Sequence, residues 1–243
     1  MGKITVAGIG PGKESMMTAD ALEALGEADV IVGYTVYLDL LGDRFADKEF
    51  LSTPMKQERE RCRMCFAEAA KGKNVVMICS GDPGIYGMAS LMFETGEELG
   101  SDTEIIVIPG ITAASSGAAV LGAPLGHDFC CISLSDLLTP WELIEKRLRA
   151  AAFGDFAIAI YNPSSKKRHD YLMKACDILL ETIEEERPCG YVRSIGRDGE
   201  EHHVYTLAEL RNTEVDMFTT VFIGNSMSRI IGDRLVTPRG YRK

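Results

Sequence analysis

Apolar residues along the chain fall into two repeating patterns: short unbroken runs, and longer stretches spaced by three and four. The runs at residues 3–9, 29–34, 74–80 and 104–108 are too short for helices and predict strands. Between them, residues 19–28, 58–71 and 89–99 carry helical spacing, with Thr18 placed to cap the first. Strands alternating with helices in this order predict a parallel sheet flanked by helices.

The pattern restarts after Pro109-Gly110 with an alanine-rich helix at 113–121. This is the expected junction between an N-terminal α/β domain, residues 1–111, and a C-terminal α/β domain, residues 112–243. In the second, strands are expected at 129–134, 156–161, 189–192, 202–206 and 219–223, and the close succession of the last ones predicts a mixed sheet. Thr139-Pro140-Trp141-Glu142 predicts a helix start, with Thr139 and Glu142 as a capping box, Pro140 at the first helical position and Trp141 as packing. A helix is also expected at 166–181, with Tyr171, Leu172, Ala175, Cys176 and Leu179 on its apolar face. Lys166, Lys167 and Arg168 would open it, where the helix dipole disfavours cations, so an anionic ligand, a partner or plain solvation must offset them.

Composition narrows the class. Hydrophobic residues are 46% and charged residues 26% of 243, the balance of a soluble globular protein. No apolar run approaches the roughly 20 residues of a membrane helix, and residues 1–4 enter a strand pattern without an apolar signal region. The expectation is a cytoplasmic protein with no membrane partner. A net charge of -10 argues against nucleic acid, whose phosphates demand clustered Lys and Arg, and favours a small-molecule substrate.

Seven cysteines, an odd number without an export signal, predict reduced thiols. Cys62 and Cys65 form a lone CxxC, but with Phe66, Ala69 and Ala70 they make one apolar helical stripe, so they are expected in a core and no metal site is expected.

Three glycine-rich turns carry the candidate chemistry. Gly8-Ile9-Gly10-Pro11-Gly12 ends the first strand, but Ala7 and Glu14 break a Walker A loop, while Lys13 and Tyr34 break a dinucleotide fingerprint. Ser80-Gly81-Asp82-Pro83-Gly84-Ile85-Tyr86-Gly87 follows another strand, where α/β ligands bind, although Asp82 bonding local amides would explain it as a structural turn. Pro109-Gly110-Ile111-Thr112-Ala113 ends a third strand and opens a helix.

These strings, GIGPG, SGDPGIYGMA and VIPGITAASSGAA, together with a later YNPSS, resemble the tetrapyrrole methylases over nearly the entire chain. PLGHDFCCISLSDLLTPW and AIYNPSSKKR resemble the branch that methylates C17 of precorrin-3B or cobalt-factor III in cobalamin biosynthesis. The resemblance implies two α/β domains with S-adenosylmethionine folded in the cleft between them, S-adenosylhomocysteine as product, a tetrapyrrole substrate and a homodimer. It implies cofactor contacts from Pro11, Ser80, Gly81, Asp82, Ile85, Thr112, Ala113, Asn162 and Gly196. Members that methylate uroporphyrinogen carry an Asp after the Tyr that ends strand two and a Lys near the end of the next segment; this chain has Thr35 and Lys56 there.

Methyl transfer to carbon needs alignment more than a nucleophilic side chain, but the ring contraction the resemblance implies needs acid–base help. Tyr34, Lys56, His127 and Asp128, at strand ends or loops, are the candidates; His202 and His203, in a strand, are expected to be solvated or packed. Substrate carboxylates call for local cations, and Arg193 and Arg197 flank Gly196. The competing readings are a methylase acting on another precorrin, RNA or a protein, and a non-catalytic module that binds S-adenosylmethionine.

Overall fold

The computed structural model describes residues 2–54, 56–165 and 167–241. The chain forms two compact units, Met1–Thr112 and Ala113–Lys243. The first runs β1 (Ile4–Gly8), α1 (Ala19–Glu27), β2 (Val30–Tyr34), a single turn α2 (Thr35–Leu38), β3 (Glu49–Thr53), α3 (Glu58–Ala69), β4 (Val75–Cys79), α4 (Ala89–Leu99) and β5 (Ile105–Ile108). Its strands pair in the order β3-β2-β4-β1-β5, all parallel.

Three of the four apolar runs are buried strands. Alternate residues of a strand face opposite sides, and in β1, β2 and β4 both sides are covered, whereas β5 is an edge strand with Ile106 and Val107 exposed. Ile4, Val6, Val30, Val32, Val75 and Met77 pack on Cys62, Cys65, Phe66 and Met92, while Ala7, Ile31, Val76 and Ile78 pack on Ala21, Leu25, Leu41 and Phe45. A large apolar side chain of this kind contributes roughly 1.5–3 kcal/mol of burial, so a charge at the fully buried Met77 would disrupt the packing of α3 and α4 on the sheet. Thr18 caps α1 as anticipated, its hydroxyl accepting from the Ala21 amide at 3.2 Å. β3 carries no such run. It is an edge strand, mostly solvent-facing, and an edge needs no continuous apolar pattern.

The chain leaves β1 toward β2 on one side of the sheet and leaves β4 toward β5 on the other, although β1 and β4 are neighbours. Outgoing connections that diverge in this way open a crevice at the carboxyl ends of the two strands. The first two glycine-rich turns lie there.

The second unit runs α5 (Ala113–Leu121), β6 (Gly122–Ala123), β7 (Phe129–Ser133), α6 (Trp141–Phe153), β8 (Ala157–Tyr161), α7 (Tyr171–Leu180), β9 (Pro188–Arg193), β10 (Glu201–Thr206), α8 (Leu207–Arg211), β11 (Thr219–Ile223), β12 (Arg229–Ile231) and β13 (Arg234–Val236). The main sheet, β10-β9-β11-β8-β7, is mixed: only β7 and β8 pair in parallel. One face packs on α6 and α7 through Ile144, Leu148, Leu172, Cys176 and Leu179, the other on α5 through Ala114, Ala118 and Leu121. Trp141 packs at the rim of the first of these cores, its ring 4.5 Å from that of Tyr171.

Three local expectations are corrected. Thr139 does not cap α6: the cap is Pro140, extended at φ -55 and ψ 142, whose carbonyl accepts from Leu143 and Ile144 while no side chain caps the helix. The helix after β8 starts at Tyr171, not five residues earlier, because the segment before it is tied into a turn. Ser165 and Arg168 exchange backbone hydrogen bonds, and the Arg168 guanidinium donates to Ser135 Oγ and Asp136 Oδ1 at 2.9 and 3.0 Å. Lys167 and Arg168 therefore precede the helix and the dipole argument lapses; Lys166 lies outside the described residues. Ala70, expected on the buried stripe of α3, is exposed at its C-cap, because the helix has ended by then. Among the described residues no helix is long and apolar enough to cross a membrane.

Candidate functional site

In the first unit the three turns meet backbone to backbone at the carboxyl edge of the sheet. Gly10 and Gly81 bridge the first two, the Gly81 amide donating to Gly10 O at 2.7 Å and the Gly10 amide to Gly81 O at 3.3 Å. A Cβ on Gly8 would stand 2.5 Å from Gly81 O and 2.7 Å from Gly110 Cα, and one on Gly110 would stand 2.1 Å from Gly81 O. Side chains at these positions would hold the turns apart, so glycine is required by close approach and not by turn type.

Asp82 fastens the assembly. Its Oδ1 accepts from the Gly84 amide at 2.8 Å within its own turn, and its Oδ2 accepts from the Gly110 amide at 3.0 Å in the third. A carboxylate bonded to two backbone amides is a strong tie; the local bond weighed from sequence is the one to Gly84, and the bond to Gly110 reaches 28 residues along the chain. Pro11 is buried beside Gly10, Ser80 and Thr112 are half-buried, and Ile85 is exposed on the loop leading to α4. Thus Pro11, Ser80, Gly81, Asp82 and Thr112 sit on or beside the three joined turns.

Tyr34 ends β2 and Lys56 follows β3, at the same edge of this parallel sheet. Lys56 is exposed and adopts φ 68, a backbone conformation uncommon for a residue with a side chain. The Tyr34 ring packs edge-on against Tyr37 at 5.3 Å, and the Arg61 guanidinium lies 5.9 Å from its centroid. Sequence reasoning did not single out Arg61. The signal was available: it lies one and two turns before Cys65 and Ala69 on the buried face of α3.

In the second unit Ala113 opens α5, whose Ala114 amide donates to Tyr161 Oη at 2.8 Å. Asn162 follows β8 at φ 53 and donates from Nδ2 to Ser133 Oγ, at the end of β7, at 3.0 Å. Gly196 follows β9, its amide donating to Glu200 Oε2 at 2.6 Å. Since β9 and β8 both run antiparallel to β11, Asn162 and Gly196 occupy one edge of this sheet. His127 and Asp128 precede β7 and so lie at the opposite edge, about 17 Å along a five-residue strand. The structure does not bring them to Asn162 and Gly196; His127 Nδ1 accepts from the Asp128 amide at 2.8 Å.

Of the two cations flanking Gly196, Arg193 is paired with Glu201 at 2.9 Å and Arg197 lies over the Phe218 ring. His202 and His203 are both exposed on the edge strand β10. The buried thiols are inert: burial pushes Cys62 up to about 11 and Cys79 up to about 12, and no cluster of three metal-ligating side chains occurs among the described residues.

These elements can be set beside known proteins. The family model described as Tetrapyrrole (Corrin/Porphyrin) Methylases matches residues 3–211. A protein of Salmonella typhimurium named "Probable cobalt-factor III C(17)-methyltransferase" is 46% identical over 238 residues, covering 98% of this chain and 99% of its own. The "Precorrin-3B C(17)-methyltransferase" of a Sinorhizobium species is 40% identical, with 99% and 97% covered. The crystal structure of the methyltransferase CobJ superposes with a TM-score of 0.91 at 42% identity, covering 98% of this chain and 100% of that one.

Proposed function

Because the chain belongs to the tetrapyrrole methylase family, we propose that it is an S-adenosylmethionine-dependent methyltransferase acting at C17 of precorrin-3B or cobalt-factor III, with associated ring contraction, in cobalamin biosynthesis. The observation that carries this reading is end-to-end similarity, 40–46% identity over 98–99% of this chain, to relatives named for that one reaction.

The three turns suit a nucleoside that is zwitterionic and lacks phosphates. A phosphate site wants a long helix starting at the turn. Here the first turn leads only to three residues of 3-10 helix, Glu14–Met16, and α4 begins five residues after Gly84, so only the third turn opens directly onto a helix, α5. What the turns offer is main chain, brought together at a spacing that a Cβ on Gly8 or Gly110 would disrupt. Pro11, Ser80, Gly81, Asp82, Ile85 and Thr112 of the first unit, and Ala113, Asn162 and Gly196 of the second, are the proposed contacts.

S-adenosylmethionine, when bound, supplies a methyl group on a sulfonium, and S-adenosylhomocysteine is left as product. The chain's own task is alignment and exclusion of water. The Asp82 hydrogen bonds and the Gly10–Gly81 bridge fix the cradle before any ligand arrives, which lowers the cost of ordering it. Tyr34 and Lys56, at the same sheet edge as the turns, are the proposed proton donors for ring contraction; His127 and Asp128 are left out because of their place at the other end of β7. Seven free cysteines suit a reducing cytoplasm, and a homodimer is the assembly we propose.

The test is anaerobic incubation of the purified protein with S-adenosylmethionine and either cobalt-factor III or precorrin-3B, followed by mass spectrometry. Gain of one methyl on either macrocycle supports the reading. Cofactor binding with no methylated product from either would overturn it.

A further inference from the structure

Arg61 is 5% exposed, yet no carboxylate among the described residues pairs with it. Its Nε donates to Thr53 Oγ1 at 3.0 Å, its Nη2 to the Pro54 carbonyl at 3.3 Å, and its plane lies over the Tyr34 ring. All three partners are neutral. The two acids in the first turn of α3, Glu58 and Glu60, leave it alone, and it sits four residues into the helix, where the dipole disfavours a cation. A buried charge without a counter-ion is costly to the fold, so packing alone does not account for an arginine here.

Its surroundings state what it serves. Thr53 ends β3 and Tyr34 ends β2, so the guanidinium is held between two carboxyl ends of the parallel sheet, on the edge that carries the glycine turns. Two strand spacings, about 10 Å, separate it from the β4–β1 crevice. Nη1 donates to nothing among the described residues and is not sealed from solvent. Two of the nitrogens are thus fixed by neutral acceptors and the fork is oriented, with Nη1 and the full charge left over.

We propose that Arg61 is a substrate-binding residue that receives a peripheral carboxylate of the macrocycle, so that the ligand supplies the counter-ion the fold lacks. This rests on the reading of the protein as a tetrapyrrole methylase. Fixing a carboxylate on one rim of the ring holds its rotation, which selects the ring carbon presented to the methyl group.

The variant is Arg61→Met, which keeps an unbranched apolar stem and removes the charge, with Arg61→Lys beside it. Binding of cobalt-factor III is followed by absorbance titration without cofactor, so the result does not depend on turnover. Affinity for the macrocycle should fall at least tenfold in Arg61→Met, with partial recovery in Arg61→Lys. S-adenosylhomocysteine affinity should stay at the wild-type value and the thermal midpoint should stay or rise, since an uncompensated charge has been removed. A macrocycle esterified at its carboxylates should bind wild type and Arg61→Met alike. Unchanged affinity for the free acid in Arg61→Met overturns the inference, as does a loss shared equally by macrocycle and S-adenosylhomocysteine with a lowered midpoint, which is the mark of a structural residue. Failure of the wild type to methylate a macrocycle it binds would count against the proposed reaction and leave the Arg61 result standing.

Discussion

Substituting alanine for Gly110 adds a single methyl group where the three turns touch, and the structure sets its cost. The new Cβ would stand 2.1 Å from Gly81 O and 2.8 Å from Gly8 Cα, all main-chain neighbours that cannot rotate away. Restoring an ordinary contact demands that the third turn move by about 1 Å, which pulls the Gly110 amide off Asp82 Oδ2. Overpacking of this kind costs about 1–3 kcal/mol, and a 1 Å misplacement of a binding group costs about 10²-fold in rate. Gly110→Ala is therefore expected to bind S-adenosylhomocysteine at least tenfold more weakly by calorimetry and to unfold several degrees lower, by the usual ~2–4 °C per kcal/mol for a chain of this size. Gly26→Ala is the control: it adds the same methyl group inside α1, where no atom lies within 4 Å, and should be neutral or stabilising by up to about 1 kcal/mol. Wild-type affinity in Gly110→Ala would refute the argument that close approach of the turns builds the cradle.

Tyr161→Phe removes the acceptor of the buried Ala114 amide and should destabilise the protein by about 1–3 kcal/mol in thermal unfolding. Arg187 is 6% exposed and grips Glu184 through two bonds of 2.7 and 2.8 Å while donating to Gly224 O, so Arg187→Ala should lower the midpoint clearly at neutral pH. The Arg187 hydrogen bonds hold the Glu184 carboxyl below its usual range. A lowered carboxylate stabilises above its unfolded titration and loses that contribution as pH falls through the folded one, so the gap between wild type and Arg187→Ala should narrow in acid. A gap independent of pH would assign the loss to packing alone. In native protein at pH 8, Cys62, Cys65, Cys79, Cys176 and Cys189 should resist a thiol reagent until the chain unfolds; rapid labelling of any of them would contradict their burial.

What could be read from the sequence followed from how each element is buried. β1, β2 and β4 are covered on both faces and announced themselves as apolar runs, and β5 did so although it is a partly exposed edge strand, whereas the half-exposed edge strand β3 and the short β12 and β13 left no such pattern. The start of α6 was misplaced by one residue because proline suits both the cap and the position after it, and only the geometry of its carbonyl separates the two. The start of α7 was misplaced because Arg168 is held by Ser135 and Asp136, more than thirty residues away, a contact no local pattern contains.

The same distinction divides the site. Glycine turns after strands are local signals, and all three were visible; that Gly8, Gly81 and Gly110 touch one another depends on β1 lying between β4 and β5, which is topology. Charge was harder to read. Arg193 and Arg197 drew notice by flanking Gly196, but an arginine on the surface of an acidic protein finds an acid or a ring, and both did. Arg61 was passed over because it stands among the cysteines of an apolar stripe, where a charged residue looks like an interruption. An interruption of that kind is the informative one: a solvated arginine explains itself, while one placed in a core and given only neutral partners must find its counter-ion outside the chain.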